Sequence, residues 1–212
     1  MKALYISASP KKEEDSASKT VARMFLDMWT RQNPDAQIEE IDLYSTDIPR
    51  MNERHVMGTA TLSEGRDFKK LSPEEQAQTR RIDELGDQFL AADRYVIAAP
   101  MWSIFFPAIL KQYIDCVIIN GKTIRVSDDN VEGLMSGKER KMVYIQSSGG
   151  IYPKILGRKV NHGEAYLKDT FTFLGVSDFE SILVEGVDMR GVGFGEAMQK
   201  IEKQAEKIAG KF

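Results

Sequence analysis

The sequence predicts a doubly wound parallel α/β fold, in which strands buried on both faces alternate with amphipathic helices. Three observations predict it. Tyr95-Val96-Ile97-Ala98-Ala99 and Lys141–Gln146 (KMVYIQ) are largely apolar runs of strand length, without the strict alternation of a half-exposed sheet. Between such runs lie longer segments whose apolar residues recur at helical spacing. The 212 residues, 42% hydrophobic and 29% charged, suit one domain, 1–212, with a sizeable core.

Ala3-Leu4-Tyr5-Ile6 forms the first strand, and Ser7-Ala8-Ser9-Pro10 ends it. The polar loop Lys11–Asp15 follows. Ser16-Ala17-Ser18 then leads into a helix whose inner face carries Val21, Phe25 and Met28, widened by Ala22, Leu26 and Trp29. Asn33-Pro34 stops that helix. Gln37–Leu43 alternates through Ile38, Ile41 and Leu43 as the second strand. Ser45–Leu71 exceeds ordinary loop length and is expected to be a lid, an interface element or a partly helical excursion. Ser72-Pro73-Glu74-Glu75 places a capping Ser, a first-turn Pro and a third-position Glu at a helix start. Ile82, Leu85 and Phe89 continue that helix into the third strand, Tyr95–Ala99.

Pro100–Phe106 is unusually apolar and aromatic for a loop. Pro107 suits the first turn of the next helix, along which Leu110, Tyr113, Ile114, Val117 and Ile118 recur, with Asn120-Gly121 at its C-terminus. Thr123–Val126, a turn at Asp128-Asp129-Asn130 and Gly133-Leu134 make a small hairpin-like excursion. Lys141–Gln146 is the fourth strand, ending at Ser147-Ser148-Gly149-Gly150. The irregular stretch Ile151–His162 precedes a helix with Tyr166, Leu167, Phe171 and Leu174. Ser181–Val184 lies in the fifth strand. Gly191–Gly195 then turns into a last helix packing Met198, Ile201, Ala205 and Ile208.

A net charge of −3 without a basic stripe gives no reason to expect nucleic acid. No apolar run is long enough to span a bilayer, so no membrane partner is expected. The lone Cys116 cannot form an internal disulfide and sits among apolar helical residues, which fits a buried thiol in a reducing compartment. The expected location is cytoplasmic. His55 and His162, the only histidines, have neither ligand spacing nor cysteine company, so no metal is expected.

In such a sheet the loops after the first, third and fourth strands converge on the carboxyl edge, where ligands bind. The hydroxyls of Ser9, Ser16 and Ser18, beside free N–H groups at a helix N-terminus, suit a phosphate; Ser16 also reads as a plain helix cap. The loop is neither a Walker loop nor GxGxxG. Met101, Trp102, Phe105 and Phe106 offer an apolar cradle for a flat group, or padding for the core. Gly149-Gly150 lets backbone N–H groups approach a planar ligand, or makes an ordinary tight turn. Together the three loops describe a site for flavin mononucleotide (FMN).

The segments LYISASP with its downstream SAS, PMWSIFFPAILKQYID, NGKTIRV, EGLMSGK and SSGGIY carry a resemblance that covers essentially the whole chain. By these the chain resembles the FMN-dependent NADH-azoreductases, a branch of the flavodoxin-like NAD(P)H:quinone reductase superfamily. The resemblance implies a flavodoxin-like five-stranded parallel sheet with helices on both faces. It implies that Ser9, Ser16, Ala17 and Ser18 bind the FMN phosphate and ribityl region. Met101, Trp102, Ser103, Ile104, Ser147, Ser148, Gly149 and Gly150 would contact the isoalloxazine, with Phe105, Phe106, Ile124 and Tyr152 in the acceptor pocket.

It further implies that FMN, not a catalytic side chain, carries the chemistry. NADH or NADPH would be the donor and a quinone or azo compound the acceptor. Relatives work as homodimers with each site completed by the partner; Ser45–Leu71 and Phe105 or Phe106 are the interface candidates. Four positions depart from the family pattern: Ser103-Ile104 in place of Asn-Phe, Ser148 in place of Arg, and Ile124 in place of an aromatic. A quinone or flavin reductase with incidental azo activity is one alternative. A flavodoxin-type electron carrier is another, although its Thr/Ser-Gly-x-Thr phosphate loop is absent.

Overall fold

A computed structural model describes residues 1–152, 160–189 and 194–212. In chain order its elements are β1 (Lys2–Ser7), α1 (Ala17–Gln32), β2 (Gln37–Asp42), β3 (Val56–Met57), β4 (Thr61–Leu62), α2 (Gly65–Lys70), α3 (Pro73–Ala91) and β5 (Arg94–Pro100). There follow α4 (Ala108–Val117), β6 (Ile124–Val126), β7 (Val131–Gly133), β8 (Lys141–Ser148), α5 (His162–Leu174), β9 (Asp178–Glu185) and α6 (Phe194–Ala209). The main sheet has the order β2-β1-β5-β8-β9, and every pairing in it is parallel. The direction of winding reverses between β1 and β5.

The absence of polar alternation in the central strands follows from their environment. Side chains alternate between two apolar layers, so neither face is free to be polar. Leu4, Ile6, Tyr95, Ile97, Ala99, Met142 and Tyr144 enter the layer beneath α3, α4 and α5. Ala3, Tyr5, Val96, Ala98, Val143 and Ile145 enter the layer beneath α1 and α6. There Phe212 sets its ring edge-on against Phe25 and Trp29, with centroids 5.2 and 5.6 Å away.

The start of α3 shows the predicted reciprocal cap. The Glu75 N–H donates to Ser72 Oγ at 3.2 Å, and the Ser72 N–H donates to Glu75 Oε2 at 2.7 Å. The segment Ser45–Leu71 contains the antiparallel β3–β4 pair and the short α2. It is fastened to α3 through His55, a fully buried residue whose Nε2 lies 3.0 Å from Gln78 Oε1. It is fastened to α4 where Cys116 Sγ donates to the Pro49 carbonyl at 3.2 Å.

The end of α4 differs from the sequence reading. Asn120-Gly121 does not end α4, which stops at Val117. Thr123 Oγ1 donates to the Val117 carbonyl at 2.7 Å and accepts the Ile119 N–H at 3.0 Å, diverting the chain first. Asn120-Gly121 instead forms the turn into β6, with Gly121 at φ 84°. Ser181–Val184 lies in the fifth strand as expected, and that strand, β9, extends from Asp178 to Glu185, pairing along β8 at the sheet edge. The hairpin expected from Thr123 to Leu134 is β6–β7. Parts of the Ile151–His162 stretch and of the Gly191–Gly195 turn lie outside the described residues; Phe194 and Gly195 belong to α6.

Candidate functional site

The carboxyl ends of β1, β5 and β8 deliver their loops to one cavity of about 370 Å³ at the switch point. Of the residues selected from sequence, Ser9, Ser16, Ala17, Met101, Trp102, Ser147, Ser148 and Gly149 line it. Lys11, Glu14, Asp15 and Thr20 from the first loop and α1 also line it, as do Val187 and Asp188 after β9. The sequence reading missed the Val187-Asp188 wall. Its signal is the position of β9 beside β8, which no local pattern carries.

At the α1 end, Ser9, Ser16 and Ser18 are all buried, yet Ser16 makes no side-chain capping bond to the helix. Its hydroxyl donates sideways to Ser9 Oγ at 3.1 Å and lies 3.3 Å from Ser18 Oγ. Ser9 Oγ also accepts the Lys11 N–H at 3.4 Å. The Ser9 hydroxyl hydrogen is thereby left for another acceptor. The first N–H groups of α1 have no intrahelical partner either, so hydroxyl and amide donors gather at one point. That donor set fits a phosphate, and it disposes of the plain-cap reading of Ser16.

The second wall is a tight turn. The Trp102 N–H donates to the Phe105 carbonyl and the Phe105 N–H to the Trp102 carbonyl, both at 2.9 Å. Ser103 and Ile104 between them have φ of 50° and 57°, the paired positive values of a type I′ turn. A β-branched residue there is strained. The turn is held against α5 by the His162 N–H, which donates to the Ile104 carbonyl at 3.1 Å. It presents Trp102 and Ile104 to solvent, 47% and 43% exposed. The Met101 N–H donates to the Ser147 carbonyl at 2.7 Å and so joins this loop to the third.

In the third loop, Gly149 leaves room for Asp188: a β-carbon on Gly149 would lie 2.5 Å from Asp188 Oδ2. Among the described residues, nothing stands within 4 Å of where a Gly150 β-carbon would lie. Ser148 Oγ donates to the Gly150 carbonyl at 2.9 Å and fixes the bend.

Other selected residues fall elsewhere. Phe106 is buried and Phe105 partly buried, and both pack against Tyr166 with centroids 5.8 and 5.6 Å away; neither is an exposed aromatic. Ile124 is in the core beneath α3 and α4, away from the residues lining the cavity. Tyr152 stands past the glycines, its N–H donating to Glu185 Oε1 at 3.2 Å. Burial pushes the Cys116 thiol up to about 12, which removes it as a nucleophile.

A five-stranded parallel sheet of this order, with a cavity at its switch point, defines the class of doubly wound α/β proteins that bind ligands at the carboxyl edge. The chain belongs to the flavodoxin-like fold family, whose model matches residues 1–210. It is 45% identical over 210 residues to FMN-dependent NADH:quinone oxidoreductase 1 of Clostridium acetobutylicum, covering 99% of this chain and 95% of that protein. It is 42% identical over 207 residues to the FMN-dependent NADH:quinone oxidoreductase of Ruminiclostridium cellulolyticum, covering 98% and 96%. Among solved structures, an FMN-dependent NADH-azoreductase from Bacillus anthracis in complex with FMN superposes with a TM-score of 0.86. That pair shares 29% identity, with 100% of this chain and 99% of the other covered. Among the described residues, no helix is long and apolar enough to cross a membrane.

Proposed function

We propose that this chain is an FMN-dependent NADH oxidoreductase that reduces quinones and azo compounds in two half-reactions, acting as one domain over 1–212. The observation that carries this is the convergence of the buried Ser9 and Ser16 hydroxyls, the Met101-Trp102 wall and the Ser147–Gly149 loop on one cavity. The relatives named above, and the FMN bound in one of them, support the same reading. When bound, FMN would supply the redox chemistry, a hydride acceptor toward NADH and a two-electron donor toward the quinone or azo compound.

The side chains bind, orient and shield. Ser9, Ser16 and Ser18, with the start of α1, hold the phosphate. Met101 and Trp102 give the flat ring an apolar wall that excludes water. The N–H groups of Ser103, Gly149 and Gly150, which have no acceptor among the described residues, are available to the ring's polar edge. The chain acts as a homodimer in which a second copy completes the site, a reading supported by the exposure of Trp102 and Ile104. The charge balance and the single buried thiol favour the cytoplasm.

The test is an anaerobic absorption spectrum of the purified protein before and after NADH, followed by a quinone and then an azo dye. A flavin spectrum that bleaches with NADH and returns with either acceptor is expected. No flavin after FMN is added back overturns the proposal. Relative quinone and azo rates decide whether azo cleavage is incidental, and sedimentation decides the dimer.

A further inference from the structure

We infer that Lys19 is a positioning residue for the phosphate end of the site, clamping the first loop to the end of β2 through the Lys11 carbonyl. This rests on the flavin reading above. Lys19 lies on α1, yet its side chain is only 8% exposed. Its ammonium donates to Asp42 Oδ2 at 2.8 Å and to the Lys11 carbonyl at 2.9 Å. Asp42 is itself fixed: it ends β2 in register with Ser7, and its Oδ1 accepts the Tyr44 N–H at 3.0 Å. Both backbone polar groups of Lys11 are therefore held, the carbonyl by Lys19 and the N–H by Ser9 Oγ at 3.4 Å.

Lys11 lines the cavity, and Lys19 lines the groove behind it. Lys19 therefore acts through the Lys11 peptide and does not touch the ligand. Arg23, which also lines that groove, is engaged with Glu13 and Glu40, with closest approaches of 3.1 and 2.7 Å. The Glu13 carbonyl accepts the Thr20 hydroxyl at 2.8 Å. The far end of the loop is thus pinned separately, and the Lys11 end depends on Lys19. Removing the buried ammonium from this position frees the Lys11 carbonyl, and with it the residue whose N–H holds Ser9, the serine with an uncommitted hydroxyl.

The test compares dissociation constants for FMN and for riboflavin, which lacks the phosphate, on the flavin-stripped full chain by flavin fluorescence. For Lys19→Met, FMN binding is expected to weaken about tenfold or more while riboflavin binding changes less than about twofold. Lys19→Arg, which can still donate to Asp42 and the Lys11 carbonyl, is expected to restore most of the ratio. If Lys19→Met does not fold, Asp42→Asn carries the test, and the same selective loss for FMN is expected. An unchanged FMN-to-riboflavin ratio in the folded variant overturns the inference while leaving the flavin site intact. A wild-type chain that binds neither flavin overturns the flavin reading itself, and the inference with it.

Discussion

The α-carbon of Gly133 packs directly on the backbone of Leu174: a β-carbon there would lie 2.6 Å from the Leu174 α-carbon. Gly175 makes the matching approach from α5, where a β-carbon would come within 2.8 Å of the Met135 carbonyl carbon. The β6–β7 hairpin and the end of α5 therefore meet backbone to backbone. Gly133→Ala must push the two apart, at a cost of about 1–3 kcal/mol. Gly137→Ala, with open space at its β-carbon, should stay within about 0.5 kcal/mol of the parent. Urea unfolding of the two variants checks the contrast.

Ile104 holds a left-handed conformation that costs a β-branched residue about 1–2 kcal/mol, and its side chain is 43% exposed. Ile104→Asn relieves most of that strain and sacrifices little burial. A gain of about 0.5–1 kcal/mol in unfolding free energy is expected, and a loss would show that the exposed isoleucine packs in solution.

Ser16 and Ser72 both precede helices but do different work. Ser72→Ala removes a reciprocal cap and should cost about 1 kcal/mol of stability without altering flavin binding. Ser16→Ala removes no cap, so its stability loss should be under about 0.5 kcal/mol. Its FMN dissociation constant should rise about tenfold, because the hydroxyl that orients the Ser9 donor toward the phosphate is lost. Thermal melting beside flavin titration separates the two roles.

Cys116 should resist iodoacetamide at about pH 8 in the folded protein, because burial keeps its thiol protonated until about 12. In denaturant the ordinary value of about 8.5 returns and labelling becomes fast. Mass spectrometry after timed quenching reads the difference. Rapid native labelling would mean that α4 opens from the segment carrying Pro49.

Much of this molecule is legible locally. The strands β1, β5 and β8 announce themselves because burial on both faces demands an apolar residue at nearly every position. The start of α3 is readable because Ser72, Pro73 and Glu75 satisfy the helix's free N–H groups within one turn. The three site loops are readable because each directly follows a recognisable strand. The polar beginning of β9 is not, since an edge strand needs little apolar sequence. Nor is the true end of α4, which a hydroxyl from Thr123 sets.

The sequence by itself determined the alternation of strands and helices, the three chemically marked loops and the capped helix start. Each rests on periodicity or on hydrogen bonds closed within a few residues. The tertiary structure alone decided that Val187-Asp188 joins the cavity, that Ile124 leaves it for the core, and that Lys19 is buried against Asp42. Those outcomes depend on which strands lie side by side. In a parallel sheet that order is set by long crossover connections, whose energetics no short stretch of sequence contains.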